Sequence, residues 1–215
     1  MGGTTGSWAA LIGLGAFHGI NPGMGWLFAV ALGLQERRRG AVLSALLPLG
    51  IGHALAVAAA IAIAVLAGAV MPLQWVRWVV AAILILFGIS RLFRHRHPGW
   101  ASMRVSKGGL ALWSFLMASA HGAGLMVMPL FLGMAMPVSH HDMAMNGVTT
   151  GTALLATSLH ALGYLVITAL VAILVFEKFG VAILRKAWIN LDLIWAAALI
   201  ASGGFMLSLP VTHTM

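Results

Sequence analysis

The sequence has no cysteine and only four acidic residues among 215, and these absences limit the chemistry available to it. Without cysteine there can be no disulfide, no thiolate metal site and no thiol nucleophile. Only 7% of the residues are charged, against about 25% in ordinary soluble domains. The chain therefore lacks the charged surface that a soluble domain of this size needs in order to stay in water.

The chain also lacks the sequence patterns of the common enzyme classes. It contains no G-x-S-x-G, no phosphate-binding P-loop, no H-E-x-x-H zinc motif and no paired carboxylates. The net charge of +8 does not indicate a nucleic-acid-binding protein, because the basic residues gather at the ends of apolar runs rather than along one aromatic-lined stripe. We therefore expect neither an enzyme nor a nucleic-acid partner.

Hydrophobic residues are abundant, at 61% of the chain, and they form long uninterrupted runs. A helix needs about 20 mostly apolar residues to cross a bilayer. The sequence thus predicts an all-α polytopic membrane protein, a single transmembrane domain over residues 1–215 with the lipid bilayer around it. Six transmembrane helices are predicted, at about 7–35, 41–69, 75–93, 109–136, 152–176 and 190–209.

The basic residues predict how the chain is oriented. Eleven of the twelve Lys and Arg residues fall in three connections that lie on the same side of the membrane if the spans alternate. Connections rich in Lys and Arg are typically cytoplasmic, which places the linker at 94–108 inside the cell. We expect an inner (plasma) membrane location with both termini outside.

The second half of the chain is predicted to be an inverted copy of the first, with repeat one at about 7–93 and repeat two at about 109–209. The matched features are His18 with His121, His53 with His160, and Ala81–Gly88 with Ala196–Gly203. Three spans per copy give the two copies opposite orientations. Such a 3+3 inverted repeat is typical of secondary transporters, whose substrate site lies near the midplane where the repeats meet.

The first span contains a group of helix-breaking residues directly after a histidine. Gly19, Pro22 and Gly23 follow His18, and proline both removes a backbone donor and clashes with the preceding turn. Irregular backbone at membrane depth is tolerated only inside protein or beside a watery cavity. We expect a broken helix here, with Asn21 and freed backbone groups completing a substrate site.

Four histidines lie inside the apolar spans, where an ionisable side chain is costly and by default indicates function. Each could instead serve as a hydrogen-bonding contact between helices. Neutral imidazole suits transition metals such as zinc, nickel and copper, whereas thioether sulfur prefers monovalent copper. The predicted midplane substrate or metal site comprises His18, His53, His121, His160, Asn21, Met24, Met126 and Met128.

A polar segment between spans four and five carries adjacent histidine, aspartate and methionine side chains. Such a segment could capture a metal ion on the external side, although histidines in loops are more often simply solvated. The candidate capture residues are His140, His141, Asp142, Met143 and Met145.

His18, the basic turn Arg37–Arg39 and the Gly52–His53 pair resemble the pattern of the nickel and cobalt permeases and their relatives in the lysine exporter superfamily. Those proteins are small and contain inverted repeats of three spans. The resemblance implies a metal-binding transport role for His18 and His53. Where the permeases carry aspartate and histidine after the first histidine, this chain has Asn, Pro, Gly and Met at 21–24.

Taken together, these features predict a small secondary transporter that moves a transition-metal cation (copper, nickel, cobalt or zinc) or another small solute. Two alternatives stay open. One is an accessory subunit that handles metal without transporting it, passing the ion to a partner through the external segment. The other is a haem-binding redox membrane protein, because histidines on neighbouring helices can be axial ligands of haem. A homo-oligomer also stays open.

Overall fold

The computed structural model describes residues 2–93, 107–135, 145–179 and 191–208. Within these ranges the chain is helical and has no strand, which confirms the predicted all-α class. The helices in chain order are α1 (Gly2–Ile20), α2 (Trp26–Glu36), α3 (Arg39–Val70), α4 (Leu73–Phe93), α5 (Lys107–Ala120), α6 (Ala123–Ala135), α7 (Met145–Leu174) and α8 (Leu191–Ser208). A 3₁₀ turn (Pro22–Met24) joins α1 to α2, and a π turn (Val175–Phe179) extends α7.

Two helices, α3 and α7, are long and apolar enough to cross a membrane. The segments Gly108–Ala120 and Ala123–Met134 would make a third span if the bent pair they form is counted as one. The outer surface suits a lipid environment, since Leu47, Ile63 and Leu66 on α3 are 68–70% exposed. The described residues thus give two or three candidate spans, and the number six stays a prediction.

Three helix pairs form the framework: α1 packs along α7, α3 along α5, and α4 along α8. Glycine makes the first two contacts close. A Cβ atom placed on Gly15 would lie 2.0 Å from the His160 carbonyl oxygen, and one on Gly52 would lie 2.0 Å from the Ala111 carbonyl oxygen. Small residues at such crossings let membrane helices approach backbone to backbone. Since α3 also packs on α7, the two close pairs lie side by side.

The contact between α4 and α8 is reciprocal. A Cβ on Gly88 would lie 3.0 Å from the Ala196 carbonyl oxygen, and a Cβ on Gly203 would lie 3.1 Å from the Ala81 carbonyl oxygen. Gly88 and Gly203 are matched positions in the two proposed repeats, as are Ala81 and Ala196. Each helix therefore offers the same positions to the other, as two copies related by a local two-fold axis do.

The backbone leaves the α-helix after Ile20, at the helix-breaking residues of the predicted first span. The Asn21 side-chain oxygen accepts a hydrogen bond of 2.8 Å from the Gly23 amide and caps the 3₁₀ turn. Gly25 then has a φ of +131°, a conformation that residues with a Cβ rarely adopt. The sequence Asn-Pro-Gly-Met-Gly therefore supplies a cap, a turn and the glycine from which α2 starts.

A second break separates α5 from α6, at His121 and Gly122. Gly122 has a φ of +72°, and the two helices meet with a bend of 63°. Pro129, the proline that follows the histidine in the second repeat, lies inside α6 rather than at the break. Both breaks thus turn at a glycine with positive φ, but a proline accompanies only the first.

Candidate functional site: a buried histidine cluster

Three of the four histidines predicted to lie inside the spans meet where α1, α3 and α7 pack together. His18 on α1, His53 on α3 and His160 on α7 each have no exposed surface. Their ring centres are 5.6 Å apart for His18 and His53, 5.1 Å for His18 and His160, and 5.3 Å for His53 and His160. We call these three residues the histidine cluster.

Backbone hydrogen bonds orient two rings of the cluster. Nδ1 of His18 donates to the Leu14 carbonyl at 2.6 Å, and Nδ1 of His160 donates to the Leu11 carbonyl at 3.2 Å. In a neutral imidazole, a proton on Nδ1 leaves Nε2 without a proton, and its lone pair is then able to accept a hydrogen bond or bind a metal. Metal-binding histidines are oriented in this way, because the bond at the other ring nitrogen fixes both the tautomer and the ring direction.

Four ring nitrogens of the cluster are buried and have no hydrogen-bond partner. They are Nε2 of His18, Nε2 of His160, and both nitrogens of His53. Leaving a buried polar atom unpaired costs about 1–3 kcal/mol, and buried polar groups in native proteins are almost always satisfied. Several unpaired nitrogens in one place therefore offer donors and acceptors for a bound water or ligand.

The spacing of the cluster matches three imidazoles around one ion. With metal–nitrogen bonds of about 2.0 Å, three imidazoles on a tetrahedral ion have ring centres about 5 Å apart. The ring planes of His53 and His160 are within 11° of parallel, however, and no group of three metal-binding side chains among the described residues has its donor atoms placed to hold an ion.

His121 adjoins the cluster through Trp195. Its Nδ1 donates to the Met117 carbonyl at 2.8 Å, the same bond to the residue four positions earlier that His18 makes to Leu14. The Trp195 ring centre is 4.8 Å from that of His18 and 5.5 Å from that of His121. The predicted set of four histidines is thus arranged as three rings in mutual contact and a fourth beside Trp195.

Tyr164 joins the cluster to the break in the first span. Its ring stacks on His53, and its hydroxyl donates to the Met24 carbonyl at 2.6 Å. Tyr164 and Trp195 were not among the candidates from the sequence. A signal for the first did exist, since Tyr164 is the only tyrosine in the chain and lies one helical turn after His160.

Aromatic donors also cover carbonyl groups at both breaks. Trp26 Nε1 donates to the Ile20 carbonyl at 2.9 Å, and Trp195 Nε1 donates to the His121 carbonyl at 2.7 Å. The Trp26 and Tyr164 bonds, to the Ile20 and Met24 carbonyls, engage backbone oxygens around Pro22 that the sequence predicted to be freed for substrate. In this conformation those oxygens, and the capping side chain of Asn21, are already bonded within the protein.

The other predicted site residues are placed as follows. The side chains of Met24, Met126 and Met128 are 1% exposed and belong to the main apolar core. His140, His141, Asp142 and Met143 lie outside the described residues, and Met145 is the first residue of α7. The external capture site stays a prediction.

Comparison of the chain with protein-family models, with curated proteins and with solved structures gave no match. Function is therefore inferred from the residues and geometry of the site.

Proposed function

We propose that this chain is a secondary transporter of a transition-metal cation in the inner membrane, with six spans in a 3+3 inverted repeat and the histidine cluster as its substrate site. The observation that carries the proposal is the cluster itself. Three imidazoles from three helices meet with unpaired nitrogens where the two halves of the chain join, which is where inverted-repeat transporters bind their substrates.

Three features support the inverted repeat. The bonds from His18 to Leu14 and from His121 to Met117 occur at matched positions. The glycines of α4 and α8 make the reciprocal contact described above. Finally, α1 of the first half packs on α7 of the second, while α5 of the second half packs on α3 of the first. This exchange of partners is what a pseudo-two-fold axis between the halves would produce.

The burial of the cluster supports transport by alternating access. His18, His53 and His160 have no exposed surface, so an ion could enter or leave only if the surrounding helices moved. The two helix breaks are the natural hinges, since hinge motions concentrate in a few residues at the ends of elements. The described conformation then corresponds to an occluded state of the cycle.

Flux through proteoliposomes tests the proposal. Purified protein would be reconstituted, and the entry of labelled zinc, nickel, cobalt or monovalent copper would be compared with that in protein-free vesicles. We expect flux of at least one of these ions, with a large loss in His18→Gln and His53→Gln. A matched control is Gly204→Ala, where the added methyl group meets open space. Unchanged flux in both histidine variants would contradict the site assignment.

The alternatives are tested separately. Two axial histidines of a haem stand on opposite faces of a macrocycle, whereas the rings of the cluster contact one another, so this spacing gives the haem alternative no support. A Soret band in purified protein would nevertheless establish it. The accessory-subunit alternative requires the external segment, so deletion of 139–145 should abolish that function, while a transport core should survive the deletion with reduced capture.

A further inference from the structure

The chain has only four acidic residues. These are the side chains that could balance the positive charge of an ion at the histidine cluster. Glu36 and Glu177 form exposed ion pairs with Arg38 and Arg39 at the ends of helices. Asp142 lies outside the described residues. Asp192, the fourth and last, is the second residue of α8.

Eight side chains are both polar and buried among the residues whose burial the structure describes. They are His18, Asn21, His53, Arg77, Ser114, His121, His160 and Thr168. This set, which does not extend to the Asp192 side chain, contains no carboxylate, and its one permanently charged member, Arg77, is a cation. The histidine cluster therefore offers an incoming ion neutral ligands and no negative charge from its described surroundings.

The charge on an ion determines the free energy needed to move it from water into such a site. The cost of moving an ion from water into a medium of low dielectric constant grows as the square of its charge, so a dication costs about four times as much as a monocation of the same size. Neutral imidazoles replace water as ligands but leave the net charge in place. Buried charges in proteins are normally paired, and a dication here would leave two positive charges to compensate where a monocation leaves one.

We propose that the histidine cluster selects a soft monovalent metal cation, of which Cu⁺ is the biological example, over divalent zinc, nickel and cobalt. This inference rests on the proposed function and specifies its substrate class. A second feature agrees with it. The Tyr164 ring stacks on His53, and its hydroxyl donates to the Met24 backbone carbonyl. The buried Met24 side chain belongs to the same apolar core as Tyr164, and thioether sulfur prefers monovalent copper.

Equilibrium binding to the purified full chain tests the selection, with Ag⁺ as a monovalent probe that does not change oxidation state. In the protein used, the five external candidates would be replaced so that they do not bind the probe: His140, His141, Asp142, Met143 and Met145. We expect one Ag⁺ per chain, with an affinity about 100-fold above that for Zn²⁺, Ni²⁺ or Co²⁺ because the second charge is uncompensated. Binding should be lost in His53→Gln and retained in Gly204→Ala.

Competition on the protein with an intact cluster gives a result that does not depend on a histidine variant folding. If an equal concentration of Zn²⁺, Ni²⁺ or Co²⁺ displaces Ag⁺, the selection for a single charge is overturned, while the proposed transport function survives. If such displacement disappears in Asp192→Asn, that carboxylate supplies the missing charge, which also overturns the inference. If no ion binds in a histidine-dependent way, both the inference and the proposed function fail.

Discussion

Tyr164 stacks on His53 with ring centres 3.9 Å apart and planes within 7° of parallel. The same side chain donates to the Met24 carbonyl at 2.6 Å. One residue therefore holds a ring of the histidine cluster and the backbone of the first helix break at the same time. The break and the His53 ring are thus both in contact with Tyr164.

The variant Tyr164→Phe separates these two roles, because it keeps the stacked ring and removes the hydroxyl. We expect the Met24 carbonyl to lose its partner at a cost of about 1–3 kcal/mol, which would loosen the turn between α1 and α2. Hydrogen exchange measured by mass spectrometry should then show roughly tenfold faster exchange in peptides covering 22–29, since 1.4 kcal/mol corresponds to a factor of ten. Peptides from α4 serve as an internal control. Unchanged exchange at 22–29 would show that the hydroxyl does not hold the break.

A pair of adjacent glycines on α8 tests the reciprocal contact with α4. A Cβ on Gly203 would lie 2.7 Å from an Ile85 side-chain carbon and 3.1 Å from the Ala81 carbonyl oxygen, whereas a Cβ on Gly204 meets nothing within 4 Å. We expect Gly203→Ala to lower the free energy of unfolding by about 1–3 kcal/mol, the usual cost of overpacking. Gly204→Ala should be neutral or slightly stabilising, because alanine favours the helix over glycine.

The same contact predicts an equal effect at the matched position. Gly88→Ala should destabilise the protein about as much as Gly203→Ala, since each glycine faces the corresponding carbonyl of the other helix. Thermal unfolding of the variants in one detergent would check both predictions. A large loss for Gly203→Ala with none for Gly88→Ala would argue against the two-fold relation between the helices.

An ion that binds the histidine cluster should stabilise the folded protein against heat. A ligand at 100 times its dissociation constant adds about 2.7 kcal/mol to the free energy of unfolding. We expect Ag⁺ to raise the unfolding temperature of the protein that lacks the external candidates, and expect His18→Gln or His160→Gln to remove the increase. The same measurement on His121→Gln is the comparison. His121 contacts Trp195, which in turn contacts His18, so this variant should keep the increase in unfolding temperature. If it alone removes the increase, the binding site lies elsewhere.

The ion pair between Arg39 and Glu177 connects the start of α3 to the π turn after α7. The arginine side chain is 67% exposed and the glutamate side chain 31% exposed, and exposed pairs of this kind contribute about 0–1 kcal/mol. Glu177→Gln should therefore change thermal unfolding very little. A large destabilisation would mean that the ion pair is more shielded from solvent than the exposed fractions of its two side chains indicate.

The all-helical class could be predicted from composition, because a chain with so few charges and such long apolar runs has few alternatives. The number of spans could not be checked in the same way, since length and hydropathy alone admit two or three among the described helices. The backbone leaves the first helix where Asn21, Pro22 and Gly23 occur. The second break depends on Gly122 taking a positive φ, and a single glycine in an apolar run does not reveal its own conformation.

The sequence also could not show which of the four histidines contact one another. His18 and His121 lie at matched positions and make the same bond to a carbonyl four residues earlier, yet only His18 joins the ring contacts with His53 and His160. Trp195 on α8 contacts the rings of both His18 and His121. The packing of α8 that brings it there is not encoded in the spacing of the histidines.

The 63° bend between Gly108–Ala120 and Ala123–Met134 also has a consequence for membrane thickness. A straight helix over these residues would be about 40 Å long at 1.5 Å per residue, which exceeds a hydrocarbon core of about 30 Å. With one arm along the membrane normal, the bent pair extends only about 28 Å across it at the same rise per residue. If the bent pair crosses the membrane as one span, the break at Gly122 removes a hydrophobic mismatch that a straight span would relieve by tilting or by thickening the bilayer.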